Sequence, residues 1–181
     1  HLMKKAFSIS FFLCIFVFSI FPFFRLLQES QTIAADTPIA YEMPYPGILP
    51  DNPLYIFKVS RDRILDFFTR DNIKKARLYL LYSDKRMVMA QELAKKGKTN
   101  LALSTLTKGE TYFSMIPELL RNSKKQGVTA PDELILKLKL SNTKHREIMD
   151  DIERDLPQGE PATLKSQIDM NTQIKKDLAK F

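Results

Sequence analysis

Downstream of residue 52 the apolar positions fall at spacings of three and four, the period of helices that bury one face. No run there alternates convincingly at period two, as half-buried strands do. Asn52-Pro53 opens the first helix: an Asn side chain can accept from the free amides, and proline at the first helical position loses no hydrogen bond. That helix is expected from about residue 53 to 69, with Leu54, Phe57, Ile64, Leu65 and Phe68 sharing one face and Arg61 in the middle of it. A second is expected from the capping residue Asp71 to about Lys96, stopped by Gly97. Its stripe is Ile73, Ala76, Leu80, Asp84, Met87, Gln91 and Ala94, again with a charge at the centre. A third starts at Thr99 or Asn100 and reaches about Lys125. Gly109 lies on its apolar face, where a neighbour can approach closely, and Pro117 should kink or break it near Phe113. Thr129 and Pro131 open a fourth, whose stripe Leu134, Leu138, Ser141, His145, Ile148 and Ile152 is the cleanest in the chain. After a Pro-Gln-Gly-Glu-Pro turn at 157–161, a polar last helix, expected to fray, carries Leu164, Ile168, Asn171, Ile174 and Leu178.

The short links at 97–99 and 126–130 make consecutive helices antiparallel neighbours. The expected fold is therefore all-α: an elongated antiparallel bundle or hairpin stack of four to five helices. It is preceded by an N-terminal membrane or signal helix and a Pro-rich extended segment. The domain plan is a signal peptide or anchor at 1–25, a flexible spacer at 26–42, a helical domain at 43–160 and the last polar helix at 161–181. Residues 43–52 form a Pro-rich clasp. The stretch Pro44–Pro50 is too stiff for a free linker and too apolar to stay in water, so Tyr45, Ile48 and Leu49 are expected to be buried.

His1-Leu2 precede Met3 and are set aside from the fold reasoning. Lys4 and Lys5 lead an apolar run from Ala6 to Phe24. Its 19 residues meet the roughly 17–25 that a spanning helix needs. Small residues near 32–35 also allow a cleaved signal, although they lie far beyond the end of the run. The lysines favour an N-terminus inside and a body outside. The protein is thus expected to be exported, anchored through residues 6–24 if uncleaved and secreted if cleaved. Cys14 lacks the small preceding residue that a lipoprotein site requires.

Charge excludes little. The net charge is +7, and setting aside Lys4, Lys5, Arg25 and Glu29 leaves 25 basic and 20 acidic residues. They are interspersed, so no nucleic-acid partner is expected. Cys14 is the only cysteine, which leaves the body without disulfides or thiol chemistry. There is no phosphate-binding glycine loop, nucleophile elbow or HExxH motif. His145, the one histidine of the body, reads as a core residue with one hydrogen bond rather than a base or ligand. The cluster Asp150, Asp151, Glu153 and Asp155 reads as a solvated acidic face, with loose cation binding as the alternative. No cofactor and no small-molecule substrate are expected. Arg61 and Asp84, each in mid-stripe on adjacent helices, are expected to pair and fix the register of the first helix on the second.

Residues 45–64, YPGILPDNPLYIFKVSRDRI, resemble the opening signature of a bacterial family of exported proteins known as domain of unknown function 5667. That signature is roughly YPG-x-LPD-x-P-x-Y-x-x-K-x-x-R-D-R. The resemblance continues through 67–98, where Ser83-Asp84-Lys85-Arg86 matches an ADKR-like stretch, and more loosely through 101–113 and 144–152. It implies an all-helical extracytoplasmic domain and supplies no catalytic residues. Tyr45, Pro46, Gly47, Asn52, Pro53, Arg61, Asp62, Arg63, Asp84, Lys85 and Arg86, together with His145, are the structural or interaction candidates. The expected role is a non-enzymatic extracytoplasmic module, a cell-envelope scaffold or protein-binding domain with a protein partner or self-association. The alternative is a periplasmic chaperone-like or metal-sensing helical-hairpin protein.

Overall fold

The computed structural model describes residues 41–156 and 162–181. The apolar run 6–24, the spacer up to residue 40 and the 157–161 turn lie outside them. The described residues belong to one compact unit, Ala40–Phe181.

Among them every regular element is helical. They are α1 (Tyr55–Phe68), α2 (Asn72–Lys95), α3 (Thr99–Ser114), α4 (Ile116–Lys125), α5 (Asp132–Arg154) and α6 (Ala162–Leu178). The expected third helix is broken into α3 and α4 at Met115, two residues before Pro117, because that ring cannot donate to the helical ladder. Asp71 caps α2 by accepting the Lys74 amide at 2.7 Å. Gly97 and Gly127 end α2 and α4 with φ of 71° and 81°, the left-handed region that glycine enters without a Cβ clash. Behind each, an amide three residues past the helix end returns to a carbonyl: Lys98 to Leu93 at 2.9 Å and Val128 to Ser123 at 3.0 Å. α1 begins at Tyr55 rather than at Pro53. Asn52 Oδ1 still accepts the Leu54 amide at 2.9 Å, one turn ahead of the helix proper.

α2 is the central element, packed against α3, α4 and α5, and α6 packs against α3 and α5. Two apolar cores result. One joins Ala76, Tyr79, Leu80, Phe113, Ile116, Leu134, Leu138, Ile174 and Leu178. The other joins Met87, Ala90, Leu106, Ile148, Met149, Ile152 and Leu164, with Met43 of the clasp against it. α6 is docked rather than frayed: Leu164, Ile174 and Leu178 are buried. Asn142 and Asn171 each donate a side-chain amide to the other's main-chain carbonyl, at 3.1 and 3.0 Å. Gly109 allows the expected close approach. A Cβ there would lie 3.2 Å from Arg86 Cβ and 3.3 Å from the Ser83 carbonyl oxygen.

α1 faces the other way from expectation. Its inward side is Tyr55, Lys58, Val59, Asp62, Leu65 and Asp66, and Asp62 is its only fully buried residue. Its outward side carries Ile56, Phe57, Ile64, Phe67 and Phe68, exposed by between 42% for Ile64 and 74% for Phe68. Hydrophobic periodicity locates a stripe but not what covers it, and here the body meets the opposite face. The clasp departs likewise. Tyr45 is 83% exposed and Ile48 41%, with Leu49 half-buried. Its main chain and charges hold it instead. The Pro46 carbonyl accepts Lys58 Nζ at 2.9 Å, and Asp51 takes Lys98 at 2.8 Å and Lys96 at 3.5 Å.

Candidate functional site

A polar layer separates the two apolar cores. On α2, Asp84 falls between Tyr82 of the first core and Met87 of the second. On α3, Glu110 lies between Leu106 and Phe113. On α5, Ser141, Asn142 and His145 lie between Leu138 and Ile148, and on α6 Asn171 lies between Leu164 and Ile174. All six residues are buried.

His145 is at the centre with no exposed surface. Its Nδ1 lies 2.7 Å from Glu110 Oε1 and its Nε2 2.9 Å from Asp84 Oδ1. Ser141 donates to the same Asp84 oxygen at 2.6 Å, and Tyr41 donates to Asp84 Oδ2. Burial drives the imidazole toward neutrality. The hydrogen bonds and charges of Asp84 and Glu110 outweigh it and raise His145 to about 9. At neutral pH the ring is therefore an imidazolium that donates from both nitrogens, one cation between two carboxylates. The Phe113 ring, 4.8 Å away between centroids, closes one side. Burial and then the Asp84 charge push the Tyr41 phenol well above its ordinary value.

The expected Arg61–Asp84 pair does not form. Asp84 is taken by His145, Ser141 and Tyr41. Arg61 binds its neighbour Asp62 at 2.9 Å, with half of its side chain exposed. Asp62 is instead the charge between α1 and α2, and Tyr82 donates to its main-chain carbonyl at 3.0 Å. Lys58, lowered to about 8, and Lys85 are both pushed down first by burial. Nearby cations reinforce this, and Asp62 opposes it. Arg86 is buried over the Tyr112 ring at 4.6 Å and donates to the Tyr82 carbonyl at 3.1 Å. Arg63, Asn52 and Pro53 are exposed, and Gly47 takes the left-handed φ of 73°. The signature thus divides. Asp62, Asp84 and Arg86 build the interior, Pro46 and Asn52 shape the entry to α1, and Tyr45, Arg61 and Arg63 face outward.

Sequence reasoning placed Asp84, Ser141 and His145 on buried stripes but missed Glu110 and Tyr41. The signal for Glu110 was its spacing in Leu103, Leu106, Glu110, Phe113. Tyr41 lies in the segment read as spacer, where no period marks it. The acidic cluster is engaged locally: Asp150 pairs with Arg146 at 2.9 Å, and Asp151 pairs with Arg154. Among the described residues no group of three His, Cys, Asp or Glu side chains is arranged to hold a metal ion. Two surface hollows, one against Gln91, Asp151 and Arg154 and one against Asn142, Arg146 and Lys175, are not lined by His145, Asp84 or Glu110. Chemically the layer can hold a proton and fix helix register. Both ring nitrogens of the imidazole are already engaged.

Fold and site together define an all-helical body built on α2 and divided by a buried charged layer. The chain belongs to the family described as Domain of unknown function (DUF5667), whose profile matches residues 47–159, more than half of the chain. No curated protein and no solved structure matches it.

Proposed function

We propose that the chain is a non-enzymatic, membrane-tethered extracytoplasmic module that serves as a scaffold or protein-binding domain at the cell envelope. The observation that carries the non-enzymatic part is the sealed polar layer. The body's only histidine has no exposed surface and spends both nitrogens on carboxylates, so it serves as an internal strut. The Lys4-Lys5 start and the 19-residue apolar run support the tether and its orientation. Long helices with interspersed exposed charges, as on α5, suit lateral contact with another protein or a second copy. The chain is then a fixed helical post beside the membrane.

The test is fractionation with external proteolysis. The full chain produced in a bacterial host should sediment with membranes and resist alkaline carbonate. Protease added outside should cut its body, and cross-linking in intact cells should yield adducts with envelope proteins or with itself. A cytosolic chain beyond the reach of external protease would overturn the reading. So would a membrane chain that forms no adduct.

A further inference from the structure

We propose that the seam between α1 and α2 binds a phosphate group, held by Lys58, Lys85 and Arg86. The seam belongs to the body, so the site does not depend on where the chain resides.

Two contacts frame the seam. Lys58 of α1 reaches Met89 of α2, Nζ to Sδ at 3.9 Å. One turn further along α1, the main-chain carbonyl of Asp62 accepts the Tyr82 hydroxyl at 3.0 Å. Tyr82, Lys85, Arg86 and Met89 follow at steps of three, one and three residues, so they share one face of α2. Lys85 and Arg86 therefore stand between the two contacts, within electrostatic reach of Lys58. Docking α1 by its polar side thus gathers four cations, Lys58, Arg61, Lys85 and Arg86, around one acid, Asp62.

That acid is already engaged. Asp62 is 4% exposed and pairs with Arg61 at 2.9 Å. Among the described residues, no carboxylate lies within ion-pair distance of Lys58, Lys85 or Arg86. Lys58 has only the Pro46 carbonyl and the Met89 sulfur as acceptors. Lys85 is half-buried and makes no hydrogen bond. Burial lowers both lysines first, neighbouring cations add to it, and Asp62 alone opposes it.

Arg86 carries the inference furthest. It is 7% exposed, and its Nε is buried with no hydrogen-bond partner. The guanidinium donates to the Tyr82 carbonyl at 3.1 Å and lies over the Tyr112 and Tyr82 rings at 4.6 and 5.6 Å. Those contacts share its charge without cancelling it, and a buried charge without an anion is costly.

Charge and donor geometry choose the ligand. A carboxylate brings one charge and two oxygens in a plane, enough for a single arginine fork. A phosphate monoester or inorganic phosphate brings close to two charges and at least three acceptor oxygens in a tetrahedral array. It can therefore accept from one guanidinium and two ammonium groups on two helices at once. Asp62 is the only fully buried residue of α1, so a phosphate shared between Lys58 and the α2 cations would also tighten the hold of α1 on the body.

The test is a titration of the full chain in non-ionic detergent at pH 7.5, with chloride holding the ionic strength constant. Inorganic phosphate, glycerol 3-phosphate and acetate are compared by calorimetry, and the two phosphates also by broadening of the phosphorus resonance. Phosphate should saturate one site per chain, with acetate at least about tenfold weaker. Lys58→Gln and Lys85→Gln each remove a charge-assisted hydrogen bond and should weaken phosphate about tenfold or more. Arg86→Lys keeps the charge but loses the fork and should weaken it as well. Lys125→Gln, exposed at the end of α4, should leave it unchanged. Circular dichroism checks that the helices remain, and the two lysine variants decide the question if Arg86→Lys does not fold. Glycerol 3-phosphate binding as tightly as inorganic phosphate assigns the site to a phosphomonoester, and weaker binding assigns it to the free ion; either supports the site. No saturation at millimolar phosphate would overturn it. So would acetate binding as tightly as phosphate, or saturable binding that neither Lys58→Gln nor Lys85→Gln weakens. A cytosolic chain that binds phosphate would defeat the envelope reading and leave this one standing.

Discussion

Asp84, Glu110 and His145 sit dry in the middle of the body, while Phe57, Ile64, Phe67 and Phe68 stand outward on α1. Both arrangements run against the usual partition, and they do so for different reasons. The interior places one cation between two carboxylates, with hydroxyl donors on Asp84, so the burial of Asp84 is offset by partners already in place, whereas Glu110 has His145 on Oε1 and a buried Oε2 with no hydrogen-bond partner. The outward rings have no such partner within the described body. The first region is closed and specifies register; the second is open and leaves its apolar side chains exposed. A polar layer between two apolar cores also has a purpose that more leucine would not serve. Sliding α2, α3 or α5 by one turn would bring a carboxylate or the imidazolium into an apolar core. Such layers fix register more surely than they add stability.

The sharpest way to break the comparison is to empty the closed region. His145→Ala would leave Asp84 and Glu110 buried without their cation. We expect a loss of about 3–5 kcal/mol, the range seen when one member of a buried pair is removed, read as a lower midpoint in urea unfolding. Phe113→Ala, beside it in the first core, should cost a similar 3–5 kcal/mol from the removed ring and the cavity it leaves. A His145→Ala variant as stable as the parent would mean that the layer is not the register device described.

The pH dependence sharpens the same point with a smaller effect. His145 is raised from 6.5 to about 9, so the folded state holds its proton more tightly than the unfolded chain does. The stabilisation is complete below pH 6.5 and is lost as the pH rises through 9. From pH 6.5 to 8 the loss should be roughly 2 kcal/mol, at about 1.4 kcal/mol per unit. Asp84, Glu110 and Tyr41 face the ring, and Tyr41 titrates far above this window. Lys58, lowered to about 8, acts with the opposite sign above that pH, so the measurement stops there. A melting temperature that falls between pH 6.5 and 8 in the parent and stays level in His145→Gln is the expected result.

How much of this was legible in the sequence follows from what each signal encodes. Helix limits came through because Asp71, Gly97, Pro117 and Gly127 act on their own local backbone, with no need of a tertiary partner. The polar layer was half legible: Asp84, Ser141, His145 and Asn171 interrupt apolar stripes, and an interruption on a buried face requires a partner. The choice of partner was not legible. Arg61 also interrupts a stripe, and pairing it with Asp84 assumed that its stripe faced inward. In α1 that assumption fails, because period shows which side chains share a face and not which body covers them. The clasp failed for a related reason: its prolines fix φ and leave the docking to the Pro46 carbonyl and Asp51, so the apolar Tyr45 and Ile48 are left outside.

Gly109→Ala tests how tightly the closed region is built. The new Cβ would gain helix propensity worth about 1 kcal/mol. It would also press on a main-chain oxygen of α2 at 3.3 Å and on Arg86 Cβ at 3.2 Å. Overpacking against backbone costs roughly 1–3 kcal/mol, so the net expectation is a loss of about 1 kcal/mol, measured by chemical denaturation. A gain in stability would show that α2 and α3 have room to part, and the layer between them would then be looser than its hydrogen bonds suggest.

The smallest expected effect is the most telling for the open region. Phe57→Ala and Phe68→Ala remove rings that are 72% and 74% exposed. If α1 is held by Tyr55, Asp62 and Leu65, these truncations should change the unfolding free energy of the lipid-free protein by no more than about 0.5 kcal/mol, as surface substitutions do. The same chemical change at Phe113 is expected to cost several times more, so the pair of measurements isolates placement from residue type. A loss above about 2 kcal/mol at Phe57 would mean that the face is covered within the folded chain itself. The contrast between the dry charges and the bare rings would then collapse into a single, larger core. Variants at Phe57 and Phe68 that fold as stably as the parent would instead assign the two faces of one helix to different tasks: its inward face holds the fold, and its outward face contributes nothing to it.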